Sequence, residues 1–348
     1  MHMPSPKAQD RLASIIKDVR GRTFPYVPKE KKRIDWASYD EAQLNEMNDY
    51  LVLVREIVDD IHREIGDIDQ GKVGHPPASC FDLAKAVLVQ QYFECSNRVA
   101  AGLMKLFTEK LRLRGGIGYK DIERAYENAN VVLVLRLLFE KTQEPAAGET
   151  DFSGDGTGLP ASIKRNYADD KGDAKKMRLY DKMIAIIGTR HQLIAAVEIV
   201  GGTAHEAPFL IPLLDEVKER YGRIGTVNYD GAAYSREIIG HIAGMGALPR
   251  ILPPVTASLK ARGCMPRRRM LLDLVEDTQK WLREYHSRSL TEARHSGDKR
   301  VFCRPVLRRL RCRRYVEGFS RACRYNIRRL VYIHYLNKVP VRWIARGS

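Results

Sequence analysis

The segment Lys182–Val200 reads KMIAIIGTRHQLIAAVEIV, and it decides the fold class of this chain. Two apolar runs rich in β-branched residues, Lys182–Gly188 and Gln192–Val200, are joined by a short polar link at Thr189–His191. This pattern is typical of two antiparallel strands connected as a hairpin. The segment therefore predicts a sheet in this half of the chain.

The flanking sequence extends the sheet in both directions. Glu149–Gly156 predicts a preceding strand, while Ile224–Asp230 and Leu248–Leu252 predict two later strands that enclose a helix at Ala232–Ala243. Three antiparallel strands followed by strand, helix and strand is the order of a ribonuclease-H-like mixed sheet flanked by helices, although several α/β folds share it. We expect an α/β fold of this kind, preceded by an all-α region.

Helical periodicity and composition divide the chain into four regions. We expect a basic arm and helical segment over 1–76, an all-helical and possible helix-turn-helix region over 77–148, the α/β domain over 149–298, and an Arg-rich helical segment over 299–348. Thr203–Glu206 has the spacing of a capping box and predicts the start of a helix that runs to Tyr221. A single long helix is expected from Pro266 to about His295.

Composition restricts the partners of the protein. The 348 residues carry a net charge of +16, which favours a polyanion such as nucleic acid. No run of about 20 apolar residues predicts a membrane span, and no signal peptide is recognisable near the N-terminus. The six cysteines form no C-x-x-C pair, so neither a zinc ribbon nor a disulfide framework is indicated. We expect a cytoplasmic protein that contacts nucleic acid and not membrane.

Two aspartates stand where predicted strands end. Asp155 lies in Gly154-Asp-Gly-Thr-Gly158, and Asp230 lies in Asn228-Tyr-Asp-Gly231. If the first and fourth strands are neighbours, both carboxylates lie near one end of the sheet, and oxygen ligands of this kind suit Mg²⁺. An aspartate flanked by glycine is usually a turn residue, so only a joint pattern supports a metal site.

The joint pattern is completed on the helix that follows. Tyr285, Arg288, Glu292 and Lys299 fall within roughly a 60° arc of an ideal helix, at about 100° per residue. Such a stripe alone could be a solvated face with an Arg–Glu pair. Its spacing, Y-x2-R-x3-E-x6-K, resembles the signature of the DDE transposases of bacterial and archaeal insertion sequences, and Tyr325-Asn-Ile-Arg-Arg-Leu330 is also similar to that family.

The resemblance, which covers roughly Asp151–Leu336, implies a function. It implies that Asp155, Asp230 and Glu292 are catalytic and bind Mg²⁺, with Mn²⁺ as an alternative, and that Tyr285, Arg288 and Lys299 contact DNA. The activity implied is endonucleolytic cleavage at element ends and strand transfer into target DNA. The implied partners are double-stranded DNA, as terminal inverted repeats and target, and a second copy of the chain in a homodimer associated with the nucleoid. Two alternatives stay open: a nuclease that only hydrolyses, and a DNA-binding protein without catalysis.

The segment Lys299–Arg329 is the most basic part of the chain. It holds twelve Lys or Arg and one acidic residue, Glu317. Because one glutamate cannot pair with twelve cations, we expect part of the segment to neutralise DNA phosphates. The DNA-binding residues predicted here are Arg308, Arg309, Arg311, Arg313 and Arg314.

Overall fold

A computed structural model describes residues 6–28, 30, 33–69, 78–165 and 177–347 of the chain. Lys29, Lys31 and Lys32 of the expected basic arm lie outside the described residues. The helices are α1 (Pro6–Gly21), α2 (Trp36–Ile65), α3 (Cys80–Phe93), α4 (Asn97–Leu106), α5 (Thr108–Leu111), α6 (Tyr119–Ala125), α7 (Ala129–Lys141), α8 (Ala207–Tyr221), α9 (Arg236–Gly244), α10 (Met265–Glu276), α11 (Thr278–Tyr285), α12 (Arg288–Val301), α13 (Arg311–Leu336) and α14 (Arg342–Gly347). The strands are β1 (Asp151–Arg165), β2 (Met177–Gly188), β3 (Ile194–Gly201), β4 (Thr226–Tyr229) and β5 (Leu248–Ile251).

The five strands form one mixed sheet in the order β3-β2-β1-β4-β5. Strands β1, β2 and β3 pair antiparallel, whereas β4 pairs parallel with both β1 and β5. The expected hairpin, the neighbouring first and fourth strands, and the ribonuclease-H-like fold class are therefore confirmed. Strand β1 is longer than expected, because its pairing with β2 continues to Arg165 and Met177.

Alternating residues of β2 face two separate hydrophobic cores, as the strand period of two requires. Met183, Ala185 and Ile187 belong to a core that also contains apolar residues of α2, α3, α7 and α13. Ile184 and Ile186 belong to a second core, which includes residues of α1, α8, α9 and α10. Because helices cover both faces, the central strands are apolar on both sides and buried.

Helix α13 joins the two ends of the chain. It packs against α2, α3 and α7 of the N-terminal region and against β3 of the sheet. Ile327, Leu330 and Val331 of this helix are fully buried. The N-terminal helices, the sheet and α13 thus share one core, while the four regional boundaries expected from the sequence stay predictions.

The all-helical region contains the helices that the sequence predicts. Ser96 caps α4, because its hydroxyl accepts a hydrogen bond from the Val99 amide at 3.4 Å. Helix α6 follows the glycine-rich stretch Gly115–Gly118, and its Lys120 and Arg124 are exposed. No helix among the described residues is both long enough and apolar enough to cross a membrane.

Two local expectations are wrong. The long helix expected from Pro266 is divided into α10, α11 and α12. The capping box expected at Thr203–Glu206 is absent: α8 begins at Ala207, and Glu206 at its N-cap makes no side-chain capping bond. The Glu206 side chain is instead held by groups across the sheet, as described below.

Candidate active site

Strand register aligns the two candidate aspartates. In the parallel pair of β1 and β4, Ser153 lies opposite Asn228. Asp155 and Asp230 each stand two residues beyond that pair, so they occupy equivalent positions on neighbouring strands. The expectation that Asp155 ends its strand is wrong, because β1 continues to Arg165, whereas Asp230 directly follows β4. Both aspartates are half-buried. The chain turns immediately after Asp230, whose carboxylate accepts a hydrogen bond from the Ala232 amide at 2.9 Å.

The start of α12 lies on the face of the sheet that contains Ser153 and Asn228. Asn228 is buried and donates a hydrogen bond from Nδ2 to the Ser287 hydroxyl at 2.8 Å. Ser287 directly precedes α12. Since residues two apart in a strand share a face, Asp155 lies on the same face as Ser153 and therefore on the face that α12 covers.

Helix α12 then runs along β1. Asp298 and Lys299, near its end, line a cavity together with Thr157 and Gly158 of β1. The helix thus begins beside Asn228 of β4 and ends beside Thr157 of β1. Glu292 lies on α12 between these two ends. The backbone of Glu292 is described as part of α12, but its side chain lies outside the described part of the structure.

The opposite face of β1 carries a network that the sequence did not predict. The Tyr229 hydroxyl donates a hydrogen bond to Glu206 at 2.5 Å, and Lys182 Nζ lies 3.3 Å from the same carboxylate. Burial raises the pKa of Tyr229 strongly, and the hydrogen bond to Glu206 and the negative charges nearby raise it further. This phenol is therefore neutral and acts as a donor. The network supports β1 directly beneath Asp155.

Glycine is required at two positions of β1 to accommodate this network. A Cβ at Gly154 would lie 2.3 Å from the Tyr229 ring, and a Cβ at Gly156 would lie 2.2 Å from the Glu206 carboxylate. The glycines on either side of Asp155 therefore serve the packing of the opposite face. Both glycines are evident in the sequence, but the side chains that occupy the space opposite them, Tyr229 and Glu206, come from distant positions in the chain.

The four residues of the signature are distributed over two helices. Tyr285 ends α11, is 7% exposed and stacks on Trp281 with ring centroids 5.3 Å apart. Arg288 begins α12, and its guanidinium carbon lies 5.9 Å from the centre of the Tyr285 ring. Lys299 is exposed on the same helix as Glu292. Tyr285 is therefore a core residue that supports Arg288, and its predicted DNA contact stays a prediction.

The described side chains supply two of the three predicted metal ligands. Asp155 and Asp230 provide carboxylate oxygens at equivalent positions of the neighbouring strands β1 and β4, a donor type that suits a hard divalent cation such as Mg²⁺. Among the side chains that the structure describes, no group of three His, Cys, Asp or Glu residues could hold a metal ion. The Glu292 side chain is not among those that the structure describes. The described residues therefore fit two ligands of the expected metal site, and the third would come from α12.

Three of the five arginines predicted to bind DNA have partners inside the protein. Arg314 is buried and pairs with Asp181 at 2.7 Å. Arg313 pairs with Glu123 at 3.0 Å and with Glu127 at 2.8 Å.

Arg308 is also buried. It donates hydrogen bonds to Gln90 at 2.9 Å and to Asn97 at 2.8 Å. The premise that the cations of this segment lack acidic partners is therefore wrong, since the acids come from distant parts of the chain. Arg309 and Arg311 are exposed.

Residues 148–345 match the family described as "Transposase DDE domain". The chain is 26% identical over 322 residues to the "Probable transposase for insertion sequence element ISA1214" of Archaeoglobus fulgidus, which covers 91% of this chain and 92% of that protein. The family match includes the whole sheet, both aspartates and α12.

Two solved structures are distantly similar. The "Mos1 transposase paired-end complex with left transposon end" shares 12% identity with a TM-score of 0.22, covering 66% of this chain and 82% of that chain. The "Crystal structure of the Mos1 Strand Transfer Complex" shares 10% identity with a TM-score of 0.22, covering 81% and 85%.

Proposed function

The chain belongs to the family of DDE transposases, and we propose that Asp155, Asp230 and Glu292 are its catalytic carboxylates. The protein is an insertion-sequence transposase, an enzyme that cleaves DNA and transfers strands. The observation that carries the residue assignment is the strand register. Asp155 and Asp230 each follow the Ser153–Asn228 pair by two residues, on strands beside which α12 passes.

Transposases of this family use divalent metal ions, and we propose Mg²⁺ as the cofactor here, with Mn²⁺ as a substitute. When bound, paired metal ions would stabilise the charge that develops on the attacking and leaving oxygens of the phosphodiester. The chain contributes the placement of the oxygen ligands. The Asn228–Ser287 hydrogen bond at 2.8 Å fixes the start of α12, the helix that carries Glu292, against β4.

Positive side chains near this site would hold the DNA. Arg288 precedes Glu292 by one helical turn, and Lys299 follows it by two turns on the same helix. Both are suited to bind phosphate oxygens. Tyr285 would act through Arg288, since its ring lies under the guanidinium. Arg309 and Arg311, which are exposed, are the members of the basic segment that we assign to DNA backbone contacts.

The substrates that we propose are the terminal inverted repeats of the element and a double-stranded target. A homodimer would hold two element ends together, and the helices at 77–148 would add contacts to the repeats. Such an enzyme would act on the nucleoid in the cytoplasm. These assignments extend the resemblance of the signature residues and rest on it.

Substitution of the three carboxylates tests the assignment. We expect Asp155→Asn, Asp230→Asn and Glu292→Gln each to abolish cleavage and strand joining with Mg²⁺, because each change removes an anionic ligand. DNA binding should persist, since it depends on the basic surface. The measurement is the nicking and joining of a labelled duplex that carries the element end. The matched control is Asp215→Asn, an exposed aspartate on α8.

The same experiment separates the alternatives. Nicking without joining by the unmodified chain would indicate a nuclease that only hydrolyses. Binding without metal-dependent nicking would indicate a DNA-binding protein without catalysis. Full activity of any of the three variants would remove that residue from the proposed site.

A further inference from the structure

A cavity of about 210 Å³ adjoins the candidate active site. Its walls come from Thr157–Pro160 of β1, from the end of α12 and the residues that follow it, and from α13. Thr157 stands two residues after Asp155 on the same face of β1, which places their Cα atoms about 7 Å apart. The cavity therefore continues the face of the sheet on which the predicted catalytic groups lie.

The charge of this cavity is strongly positive. Four cations line it, and the one carboxylate among its described lining residues is Asp298. The four cations are Lys299, Arg304, Arg321 and Arg324. Arg324 pairs with Asp298 at 2.6 Å, and the Arg321 Nη2 atom lies 3.2 Å from Glu317. Even with both pairs counted, the cations outnumber the acids, so the cavity favours an anion.

Unsatisfied hydrogen-bonding groups cluster at the same place. Arg321 Nε, Arg324 Nε and Asp298 Oδ1 are buried and have no hydrogen-bond partner among the described residues. Buried polar atoms without partners are uncommon in folded proteins and indicate a missing polar group. Arg321 and Arg324 are 9% and 1% exposed, so these guanidiniums are held in place before any ligand arrives.

The remaining walls are apolar. Leu159, Met183 and Phe302 line the cavity, and the Arg324 guanidinium carbon lies 3.6 Å from the centre of the Phe302 ring. A volume of 210 Å³ is below the range of about 300–1,000 Å³ that is typical of ligand pockets. A site of this size, with cations on one side and apolar groups on the other, matches one phosphate and its attached sugar.

We propose that this cavity binds one phosphodiester and its deoxyribose in the DNA strand that adjoins the bond to be cut. Lys299 and Arg321 bind the phosphate, and Leu159, Met183 and Phe302 contact the sugar. The inference rests on the proposed function, because it takes the surroundings of Asp155 on β1 as the place of cleavage. It adds Arg321, which lies outside the four-residue signature, to the groups that bind the substrate.

Two exposed cysteines provide a test in the unmodified protein. Cys303 lines the cavity, whereas Cys312, at the start of α13, does not. We expect a duplex that carries the element end to slow alkylation of Cys303 by iodoacetamide at least tenfold. Cys312 directly follows Arg311, which we assign to the DNA backbone, so slower alkylation of Cys312 reports that the duplex is bound. Peptide mass spectrometry measures both rates, with EDTA present so that the DNA stays intact. Equal rates at Cys303 with and without bound DNA would overturn the proposal.

A second duplex of equal length without the terminal repeat shows whether the strand in the cavity comes from the element end or from any bound DNA. Protection of Cys303 by the element end alone assigns the cavity to the element strand. Protection by both duplexes assigns it to the backbone of any bound DNA, target included. Both results support a phosphodiester site.

A substitution distinguishes binding in the cavity from simple covering by DNA. We expect Arg321→Gln to remove the protection of Cys303 and to make the slope of log affinity against log salt less negative by about 0.9, the value for one phosphate contact. Arg314→Gln is the matched control, because Arg314 is also 9% exposed on α13 but pairs with Asp181. When folded, the Arg314→Gln variant should leave the protection of Cys303 and the salt slope unchanged.

Thermal unfolding of both variants shows whether they remain folded, and Arg321→Lys, which keeps the charge, should retain part of the protection. An unchanged slope and full protection in folded Arg321→Gln would contradict the proposal. DNA cleavage by the same preparation is measured in parallel. If cleavage occurs while Cys303 stays unprotected, the cavity assignment fails and the proposed function stands. If Cys303 is protected but no metal-dependent cleavage occurs, the cavity binds DNA and the proposed function fails.

Discussion

At the scale of single residues, Gly154 shows how the strand beneath the candidate site is packed. A Cβ at this position would lie 2.3 Å from the ring of Tyr229, which is 2% exposed and cannot move aside. We expect Gly154→Ala to lower the free energy of unfolding by about 1–3 kcal/mol, the usual cost of overpacking. Thermal or urea unfolding followed by circular dichroism measures this change.

Gly158 is the matched control for that experiment. It lies on the same strand, but a Cβ there would meet only Tyr180 Cδ2, at 3.9 Å. Gly158→Ala should therefore leave the stability nearly unchanged. Equal effects of the two substitutions would show that loss of glycine flexibility, and not contact with Tyr229, determines the result.

Residues of the site differ in how far the sequence could predict them. Asp155 and Asp230 were predicted because each stands beside glycine near the end of a predicted strand, and because the Y-x2-R-x3-E-x6-K spacing follows in the sequence. Glu206 was misassigned, because its spacing from Thr203 satisfies a local capping rule. In the structure, Glu206 instead contacts Tyr229 of β4 and Lys182 of β2. These contacts can form only after the separate strands have assembled into the sheet. No signal within a few residues of Glu206 indicates that arrangement.

At the scale of elements, α13 is a helix whose arginines are mainly structural. Arg314 and Asp181 form a pair in which both side chains are about nine-tenths buried. We expect Arg314→Leu to lower the free energy of unfolding by about 3–5 kcal/mol, since it leaves the Asp181 charge buried without its partner. The double variant Arg314→Met with Asp181→Leu should regain most of the loss, as apolar replacements of buried pairs often do. Urea unfolding of the single and double variants measures the difference.

Arg309→Ala with Arg311→Ala is the contrasting variant. Both side chains are exposed, so we expect little change in stability. Binding to any duplex should weaken, with a less negative salt slope. If this variant lost stability while Arg314→Leu did not, the division between structural and DNA-binding arginines would be wrong.

The break between α11 and α12 marks the limit of predicting elements from periodicity. Neither His286 nor Ser287 is a strong helix breaker, so the pattern indicated a continuous helix. In the structure the Ser287 hydroxyl donates to the Glu284 carbonyl at 2.7 Å and accepts from Asn228. A tertiary contact with β4 thus fixes the turn. Gly297 does not interrupt α12, and Lys299 stays on the helix of Glu292.

In the molecule as a whole, helices α2, α3 and α7 share one hydrophobic core with one face of the sheet. Residues of α2, α3 and α7 pack with α13 and with one face of β2 and β3. We therefore expect a fragment over 149–348 to expose the apolar side of α13 and to aggregate, although it contains all but the first residue of the family match at 148–345. Size-exclusion chromatography and circular dichroism of the fragment, with the full chain as reference, test this. A monomeric fragment that unfolds cooperatively would contradict the expectation.

The position of α13 also limits how this enzyme could be rebuilt from parts. A chimaera that combined the N-terminal helices of one transposase with the catalytic sheet of another would place two unmatched surfaces on the same helix. Arg313 illustrates the problem, because it lies on α13 and pairs with Glu123 and Glu127 of the N-terminal region. Recombination that exchanges the N-terminal helices between relatives must therefore carry α13 along with them, or change both together.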